Sequence, residues 1–163
     1  MDNSKPIREI LNVDIPLGIS YFRYFSGCII AEEGSANVFE EKYLSIILRE
    51  PIGVVGKIVP WNFPFLRDCW KLAPVLAARD YTMFKPFSET SLSILELDWI
   101  IKDILPKGVF NVVIGRGPQS GQYLLAHPKL SKLAFTGSTE IGLTVGKKAA
   151  KKIIPCTLEL RGK

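Results

Sequence analysis

The chain has 163 residues, 47% hydrophobic and 23% charged, which suits one globular core and is too short for two comfortable ones. The formal net charge of +5 is spread along the sequence, so no nucleic-acid partner is predicted. The one lysine cluster has the spacing of a solvated helix face, and attraction of a phosphate is the alternative. Its members are Lys147, Lys148, Lys151 and Lys152. No apolar run reaches the roughly 18 residues of a membrane helix and no Cys-x-x-Cys pair occurs, which predicts a cytoplasmic protein without a membrane anchor, metal site or disulfide.

The first predicted element is an amino-terminal helix. Apolar residues recur at spacings of three and four, which describes one helix face: Ile10, Val13, Leu17, Tyr21, Tyr24 and Cys28. Pro16 lies inside this pattern, so the helix is kinked or begins late. The segment EEGS, residues 32–35, ends it. The following stretch KYLSIILREPIGVVGKIV favours a strand that continues, after a bend at residues 49–51, into another strand.

A regular alternation of strands and helices is predicted from Gly53 onward. Apolar runs occur at 53–59, 81–85, 109–114, 132–135 and 155–160, with helical segments near 64–79, 90–104, 118–126 and 139–151. This alternation is typical of repeated βαβ units, so we predict an α/β fold with a doubly wound parallel sheet of about five strands and helices on both faces. Ligands bind such sheets beyond the carboxyl ends of the strands, where the strand-to-helix loops lie.

The first of these loops is PWNFP, residues 60–64. Two prolines restrict the backbone around Asn62 and hold its amide in a fixed direction at a strand end. Such an amide can stabilise a developing oxyanion, whereas the alternative is that Asn62 satisfies the carbonyl groups of its own loop.

The second loop, KPFSET, begins at Lys85 just past a strand end. Its lysine is either solvated or hydrogen-bonded to a ribose or phosphate oxygen. Ser88 is predicted to be a helix N-cap, with Glu89 in the first helical turn.

Two further loops contain glycines. GRGPQSG, residues 115–121, is one residue longer than the dinucleotide fingerprint Gly-x-Gly-x-x-Gly and follows the third strand of the series, so it is a weak signature. TGSTEIG, residues 136–142, places Gly137 where a ligand can approach the backbone and Ser138 and Thr139 at a helix amino end, which favours an anion. Phosphate binding and an ordinary capped turn both fit this second loop. His127, the only histidine, is predicted to lie on the surface.

Taken together, these motifs resemble the NAD(P)-dependent aldehyde dehydrogenase superfamily over essentially the whole chain. The matching segments are MDNSKPIRE, FRYF, EEGS, REPIGVVG, PWNFP, WKLAPVLAA, KP, FTGSTEIG and LEL. The resemblance implies a Rossmann-like coenzyme-binding segment at 53–163, preceded at 1–52 by a helix and a strand region of the oligomerisation type. It also implies NAD or NADP as cofactor, an aldehyde as substrate, and assembly as a homo-oligomer or with an intact relative.

The resemblance assigns roles to residues that match the family motifs. Asn62 resembles the oxyanion-stabilising asparagine, and Glu159 matches the general base of LELGG. Lys85 resembles the lysine at the adenosine ribose and Ser138 the serine at the pyrophosphate. The full set of implied cofactor-binding residues is Pro60, Trp61, Lys85, Ser88, Gly117, Gly137, Ser138 and Leu160.

Parts of the family pattern are missing or altered. The catalytic cysteine of the family lies downstream of LELGGK in a second domain, so this chain is expected to be a partial, inactive enzyme, incomplete at both ends. Cys69 and Cys156 do not replace it by position, because one lies inside a predicted helix and the other faces away from Glu159. Arg161 replaces a glycine near the nicotinamide and is expected to crowd Glu159. Arg79 replaces a helix-ending glycine.

The identity of residue 88 leaves the choice of coenzyme open. Many relatives have a glutamate there that binds the ribose hydroxyls, so Ser88 makes NAD and NADP both admissible. Two alternatives to the partial enzyme are a non-catalytic module that binds nucleotide or pairs with a relative, and a remnant that does not fold stably.

Overall fold

The computed structural model describes residues 3–161. The α-helices are α1 (Ile7–Glu9), α2 (Ile15–Ile30), α3 (Pro64–Ala77), α4 (Leu92–Ile101), α5 (Gln122–Ala126) and α6 (Thr139–Lys152), and two π-helical segments span Ile10–Asp14 and Gly117–Gly121. The strands are β1 (Ser35–Phe39), β2 (Tyr43–Ile47), β3 (Val54–Ile58), β4 (Tyr81–Lys85), β5 (Phe110–Val112), β6 (Leu130–Ser138) and β7 (Cys156–Arg161). No helix in this part of the chain is both long and apolar enough to cross a membrane.

The amino-terminal helix is continuous from α1 through the π-helical segment into α2. Pro16 lies in the first turn of α2, where its missing N–H is tolerated. The predicted apolar face is only partly buried, because Val13, Leu17 and Tyr24 are exposed. Several faces of α2 are apolar, so periodicity does not predict which face is buried. The face that contains Gly18 packs on α3, because a glycine allows the closest approach of the two helices.

Strands β1 and β2 form a separate antiparallel hairpin, with Phe39 paired to Tyr43. Strand β1 was not predicted, because its sequence SANVF contains few residues with high β propensity. Two adjacent glutamates, Glu40 and Glu41, form the turn with positive φ angles of 50° and 59°. The predicted bend separates β2 from β3, and these two strands belong to different sheets.

The main sheet has five parallel strands in the order β5-β4-β3-β6-β7, which confirms the predicted fold class. Helices α3 and α4 cover one face and α5 and α6 the other. Each face has its own apolar cluster, one containing Leu72, Phe84 and Ile94, the other Leu133, Phe135 and Val145. From β3, the strands β4 and β5 are added towards one edge of the sheet, whereas β6 and β7 are added on the other side of β3. The order of strand addition therefore reverses between β3 and β6. This reversal creates the crevice in which doubly wound folds bind ligands.

Candidate functional site

A cavity of about 960 Å³ opens at the carboxyl ends of β3, β4 and β6. Seven of the eight predicted cofactor-binding residues line it: Pro60, Trp61, Lys85, Ser88, Gly117, Gly137 and Ser138. Leu160 does not line it; its side chain packs towards α6, where a Cβ at Gly142 would come 2.2 Å from Leu160 Cδ2. The cavity wall also includes Gln122, Thr136, Thr144 and Arg161, which motif matching did not assign to the cofactor.

The junction of β6 and α6 forms an anion cradle in the cavity wall. Ser138 is the N-cap of α6, and its hydroxyl accepts a hydrogen bond from the Ile141 N–H at 3.4 Å. A Cβ at Gly137 would lie 2.5 Å from Cζ of Phe135, so only glycine fits there. The resulting open backbone at the start of a 14-residue helix presents free N–H groups and the positive end of the helix dipole.

Lys85 reaches the cavity from the end of β4. It is only 4% exposed, which excludes the alternative of a solvated lysine. Its ammonium donates to the Pro86 carbonyl at 2.9 Å, and burial lowers the pKa of this lysine. Two of its three donor positions remain for other acceptors, so Lys85 can bind ribose or phosphate oxygens.

Ser88 lies in the cavity wall but is not a helix N-cap. Helix α4 begins at Leu92, after Ser91, because Phe87 and Thr90 form a hydrogen-bonded turn that delays the helix. The Ser88 hydroxyl donates to Glu89 Oε1 at 3.4 Å. A carboxylate therefore lies beside Ser88, a feature that the N-cap prediction missed.

The PWNFP loop places Asn62 at the carboxyl end of β3, next to the cavity residue Trp61. The side-chain oxygen of Asn62 is buried and has no hydrogen-bond partner among residues 3–161. This oxygen is an acceptor, whereas an oxyanion and the loop carbonyls would both accept from the amide N–H groups, so both interpretations of Asn62 remain predictions. Phe63 adopts a left-handed conformation with φ of 53°, and Pro64 begins α3 directly after it.

The amino-terminal segment contacts the PWNFP loop through Lys5. Asp14, in the π-helical segment, is buried and bonds to the Lys5 ammonium at 2.6 Å. The same ammonium lies 4.1 Å from the centre of the Phe63 ring, a cation–π contact. Asp14 thus fixes Lys5, and Lys5 supports the strained residue beside Asn62.

Glu159 lies on β7, on the sheet face covered by α3. Thr136 on β6 donates to Glu159 Oε2 at 3.1 Å, and the Lys71 ammonium contacts Oε1. Arg67 Nη1 lies 3.9 Å from Oε2. The cations at this carboxylate are therefore Lys71 and Arg67, which the motifs did not identify. The guanidinium of Arg161 lies 5.9 Å from the centre of the Trp61 ring and forms no ion pair with Glu159 in the described part of the chain. Crowding of Glu159 by Arg161 stays a prediction.

Several cationic side chains lie close enough to one another near Glu159 to lower each other's pKa. Burial, followed by the charges of Lys71 and Lys132, lowers the pKa of Lys57 to about 7, while Asp80 opposes the shift. Burial, followed by the charges of Arg67 and Lys132, lowers the pKa of Lys71 to about 8.

The environments of Cys69 and Cys156 do not favour a thiolate nucleophile. Cys69 is buried in α3, and burial together with the Asp68 carboxylate raises the pKa of its thiol to about 12. Cys156 packs on the face covered by α5 and α6, opposite to Glu159, and burial raises its pKa as well. A thiolate nucleophile needs the reverse shift.

Residues 1–163 match the family model described as "Aldehyde dehydrogenase family". The chain belongs to this family. It is 49% identical over 162 residues to a long-chain-aldehyde dehydrogenase of an Acinetobacter species and 53% identical over 162 residues to an aldehyde dehydrogenase of Vibrio cholerae. Both alignments cover 99% of this chain and 32% of the relative. The chain thus spans about a third of the length of these curated relatives.

Solved structures give the same family. The NAD+ complex of an aldehyde dehydrogenase from Bacillus cereus superimposes with a TM-score of 0.96 at 38% identity, over 99% of this chain and 33% of that one. A putative aldehyde dehydrogenase from Burkholderia cenocepacia gives a TM-score of 0.94 at 40% identity, with the same coverage of each chain. The five-stranded parallel sheet is therefore an aldehyde dehydrogenase fold.

Proposed function

We propose that this chain forms the coenzyme-binding part of an NAD(P)-dependent aldehyde dehydrogenase, which as a whole oxidises an aldehyde to a carboxylic acid. Residues 53–163 form the coenzyme-binding segment, and residues 1–52 supply the supporting helix and the hairpin. The observation that carries this proposal is the cavity at the sheet reversal, whose wall contains seven of the eight residues expected for the cofactor. The unpaired cysteines are consistent with a cytoplasmic location.

Different cavity residues bind different parts of the coenzyme. The pyrophosphate lies at the amino end of α6, where Ser138 and the bare backbone of Gly137 accept an anion. Lys85 and Ser88 face the adenosine ribose, while Gly117 allows the backbone to approach. Pro60 and Trp61 form the opposite wall, towards the reacting ring. Leu160 acts indirectly, by fixing β7 against α6.

Two residues beside the cavity serve the chemistry of the whole enzyme. The side-chain N–H group of Asn62 donates to the oxyanion that forms when a thiolate attacks the aldehyde carbonyl. Glu159 activates water for release of the acid. Its ion pairs with Lys71 and Arg67 must loosen first, because a carboxylate held by two cations is a weak base.

A thermal-shift titration of the purified chain with NAD and NADP tests the nucleotide site. A ligand that binds the folded state alone raises the melting temperature. We expect a concentration-dependent rise that Lys85→Met and Ser138→Ala both reduce, whereas Lys107→Met, at an exposed lysine outside the cavity, leaves it unchanged. Absence of any rise at millimolar coenzyme would contradict the proposal, and absence of a melting transition would favour a remnant that does not fold stably.

Selectivity between the two coenzymes depends on residues 88 and 89. Ser88 can donate a hydrogen bond to a 2′-phosphate, so NADP is not strongly rejected, although the Glu89 carboxylate lies within reach of Ser88. Glu89→Gln is therefore expected to strengthen NADP binding relative to NAD. Calorimetry that shows tight NAD binding and no NADP binding would count against this assignment.

A second function, assembly with another copy or with an intact relative, is favoured by the hairpin. One face of it carries only apolar side chains in directly paired positions, Val38 with Leu44 and Ala36 with Ile46, and all four are exposed. Such a face is expected at an interface between copies of the chain. Sedimentation should show a dimer or larger species that Leu44→Lys dissociates and Lys42→Met does not. A monomer at high concentration would contradict this.

A further inference from the structure

Arg161 occupies one end of the nucleotide cavity. It is the last residue of β7, pairs in register with Ser138, and its carbonyl accepts a hydrogen bond from Thr139 Oγ1 at 3.0 Å. The backbone of Arg161 is therefore fixed beside the anion cradle. Its side chain extends from there towards the loop after β3, where the guanidinium lies over the Trp61 ring, 5.9 Å from the centre.

The charge of Arg161 is not neutralised inside the described part of the chain. The neighbouring carboxylate, Glu159, is taken by Lys71 and Arg67, and no described carboxylate is ion-paired with Arg161. Burial and then the Arg161 charge lower the pKa of Arg67, so the two guanidinium groups raise the local positive potential together. The cavity consequently has a cation at each end, Lys85 and Arg161, with the amino end of α6 between them.

This arrangement disfavours the nicotinamide half of a dinucleotide. The oxidised nicotinamide ring is positively charged, so it would meet like charge from Arg161. The guanidinium of Arg161 also makes a cation–π contact with Trp61, so a ring that stacked on this side of Trp61 would have to displace it. A terminal phosphate has the opposite requirement, because a guanidinium binds its oxygens through two parallel hydrogen bonds.

We propose that Arg161 makes the cavity selective for a nucleoside diphosphate, such as ADP, over the complete dinucleotide. The α-phosphate lies at the start of α6, the β-phosphate pairs with Arg161, and Lys85 and Ser88 face the ribose that ADP and NAD share. This inference rests on the proposed nucleotide site and adds the class of ligand that the site prefers. No bond is made or broken in this binding step.

Isothermal titration of the 163-residue chain with ADP, NAD and nicotinamide mononucleotide tests the inference. We expect ADP to bind at least tenfold more tightly than NAD, roughly the value of one charge-assisted hydrogen bond, and the mononucleotide not to bind. Arg161→Gln should weaken ADP binding about tenfold without weakening NAD. Arg23→Gln, the same change at an exposed arginine on α2, should alter neither affinity.

A second variant and the comparison of the two ligands distinguish failure of this inference from failure of the proposed nucleotide site. Arg161→Lys keeps the charge and loses the bidentate geometry, so it should weaken ADP binding by a few-fold even if the glutamine variant fails to fold. Equal affinity for ADP and NAD, or an equal effect of Arg161→Gln on both, would overturn the inference and leave the proposed nucleotide site intact. Binding of neither ligand to the folded chain would overturn both.

Discussion

Asp14 is the residue on which the amino-terminal segment depends most. It is 2% exposed, and among residues 3–161 its ion-pair partner is the Lys5 ammonium, so Asp14→Asn leaves that ammonium without its buried anion. Removing one partner of a buried ion pair costs about 3 kcal/mol of stability. Glu9→Gln is the matched control, because Glu9 lies 4.0 Å from the same ammonium and is largely exposed; it should cost less than about 0.5 kcal/mol. Urea unfolding measures both, and equal losses would show that burial is not the cause.

The buried Lys57 gives stability a specific pH dependence. Its pKa is lowered to about 7 in the folded state, against about 10.4 for a free lysine. Between these values the unfolded chain binds a proton that the folded chain does not, so the free energy of unfolding rises with pH. Below about pH 7 both states are protonated and the full penalty of burying the charge remains.

Replacement of Lys57 should remove part of that dependence. Lys57→Met is expected to stabilise the chain near neutral pH and to reduce the slope between about pH 7 and pH 9 by about 1 kcal/mol per pH unit. Lys71, whose pKa is lowered to about 8, contributes a smaller slope of the same sign that remains. Lys107→Met, at an exposed site, is the control. Denaturant unfolding at several pH values measures the effect; an unchanged slope in Lys57→Met would contradict it.

At the scale of elements, the contact between α2 and α3 depends on one glycine. A Cβ at Gly18 would come 2.9 Å from Cε1 of Phe65 and 3.0 Å from Sγ of the buried Cys69. Gly18→Ala should therefore destabilise the chain by about 1–3 kcal/mol through overpacking. At Gly27, in the same helix, a Cβ meets nothing within 4 Å, so Gly27→Ala should stabilise by about 0.5–1 kcal/mol. Thermal melting compares them, and changes of the same sign would refute the packing argument.

The end of α3 contains a second element-scale feature. Arg79 follows the helix with a positive φ of 60°, and the next N–H, of Asp80, bonds back to the Val75 carbonyl at 3.1 Å. A glycine suits this left-handed position, so Arg79→Gly should stabilise by about 1 kcal/mol. The same replacement at Arg23, inside α2, should destabilise by about 1 kcal/mol. Loss of stability in both variants would argue against strain at Arg79.

At the scale of the whole molecule, the chain is expected not to oxidise aldehydes by itself. The thiol of Cys69 has a pKa raised to about 12, and Cys156 lies across the sheet from Glu159, so neither of these cysteines supplies a thiolate beside the amide and the base. The assay is aldehyde-dependent NADH or NADPH formation by the purified chain with several aldehydes. Turnover that survives Glu159→Gln and Asn62→Ala would indicate a contaminant. Turnover that either variant abolishes would disprove the prediction.

The sequence alone determined the fold class and most of the cavity. Strand and helix periods differ, so their alternation after Gly53 predicts parallel βαβ units, and the reversal point then places the loops that begin at Pro60, Lys85 and Gly137 at one edge. Motif spacing was sufficient for these residues because each one follows directly from a strand end, where the backbone sets its position.

Only the tertiary structure decided which groups face each other across elements. Glu159 contacts Lys71 and Arg67, which are far from it in the chain. Arg161 likewise lies near Trp61. The burial of Lys57 also depends on elements distant in sequence. The buried face of α2 was decided in the same way, by Gly18 against α3. Periodicity records only the contrast of apolar and polar residues along one element, and it does not encode which side chains from different elements meet, because packing and local charge fix those contacts.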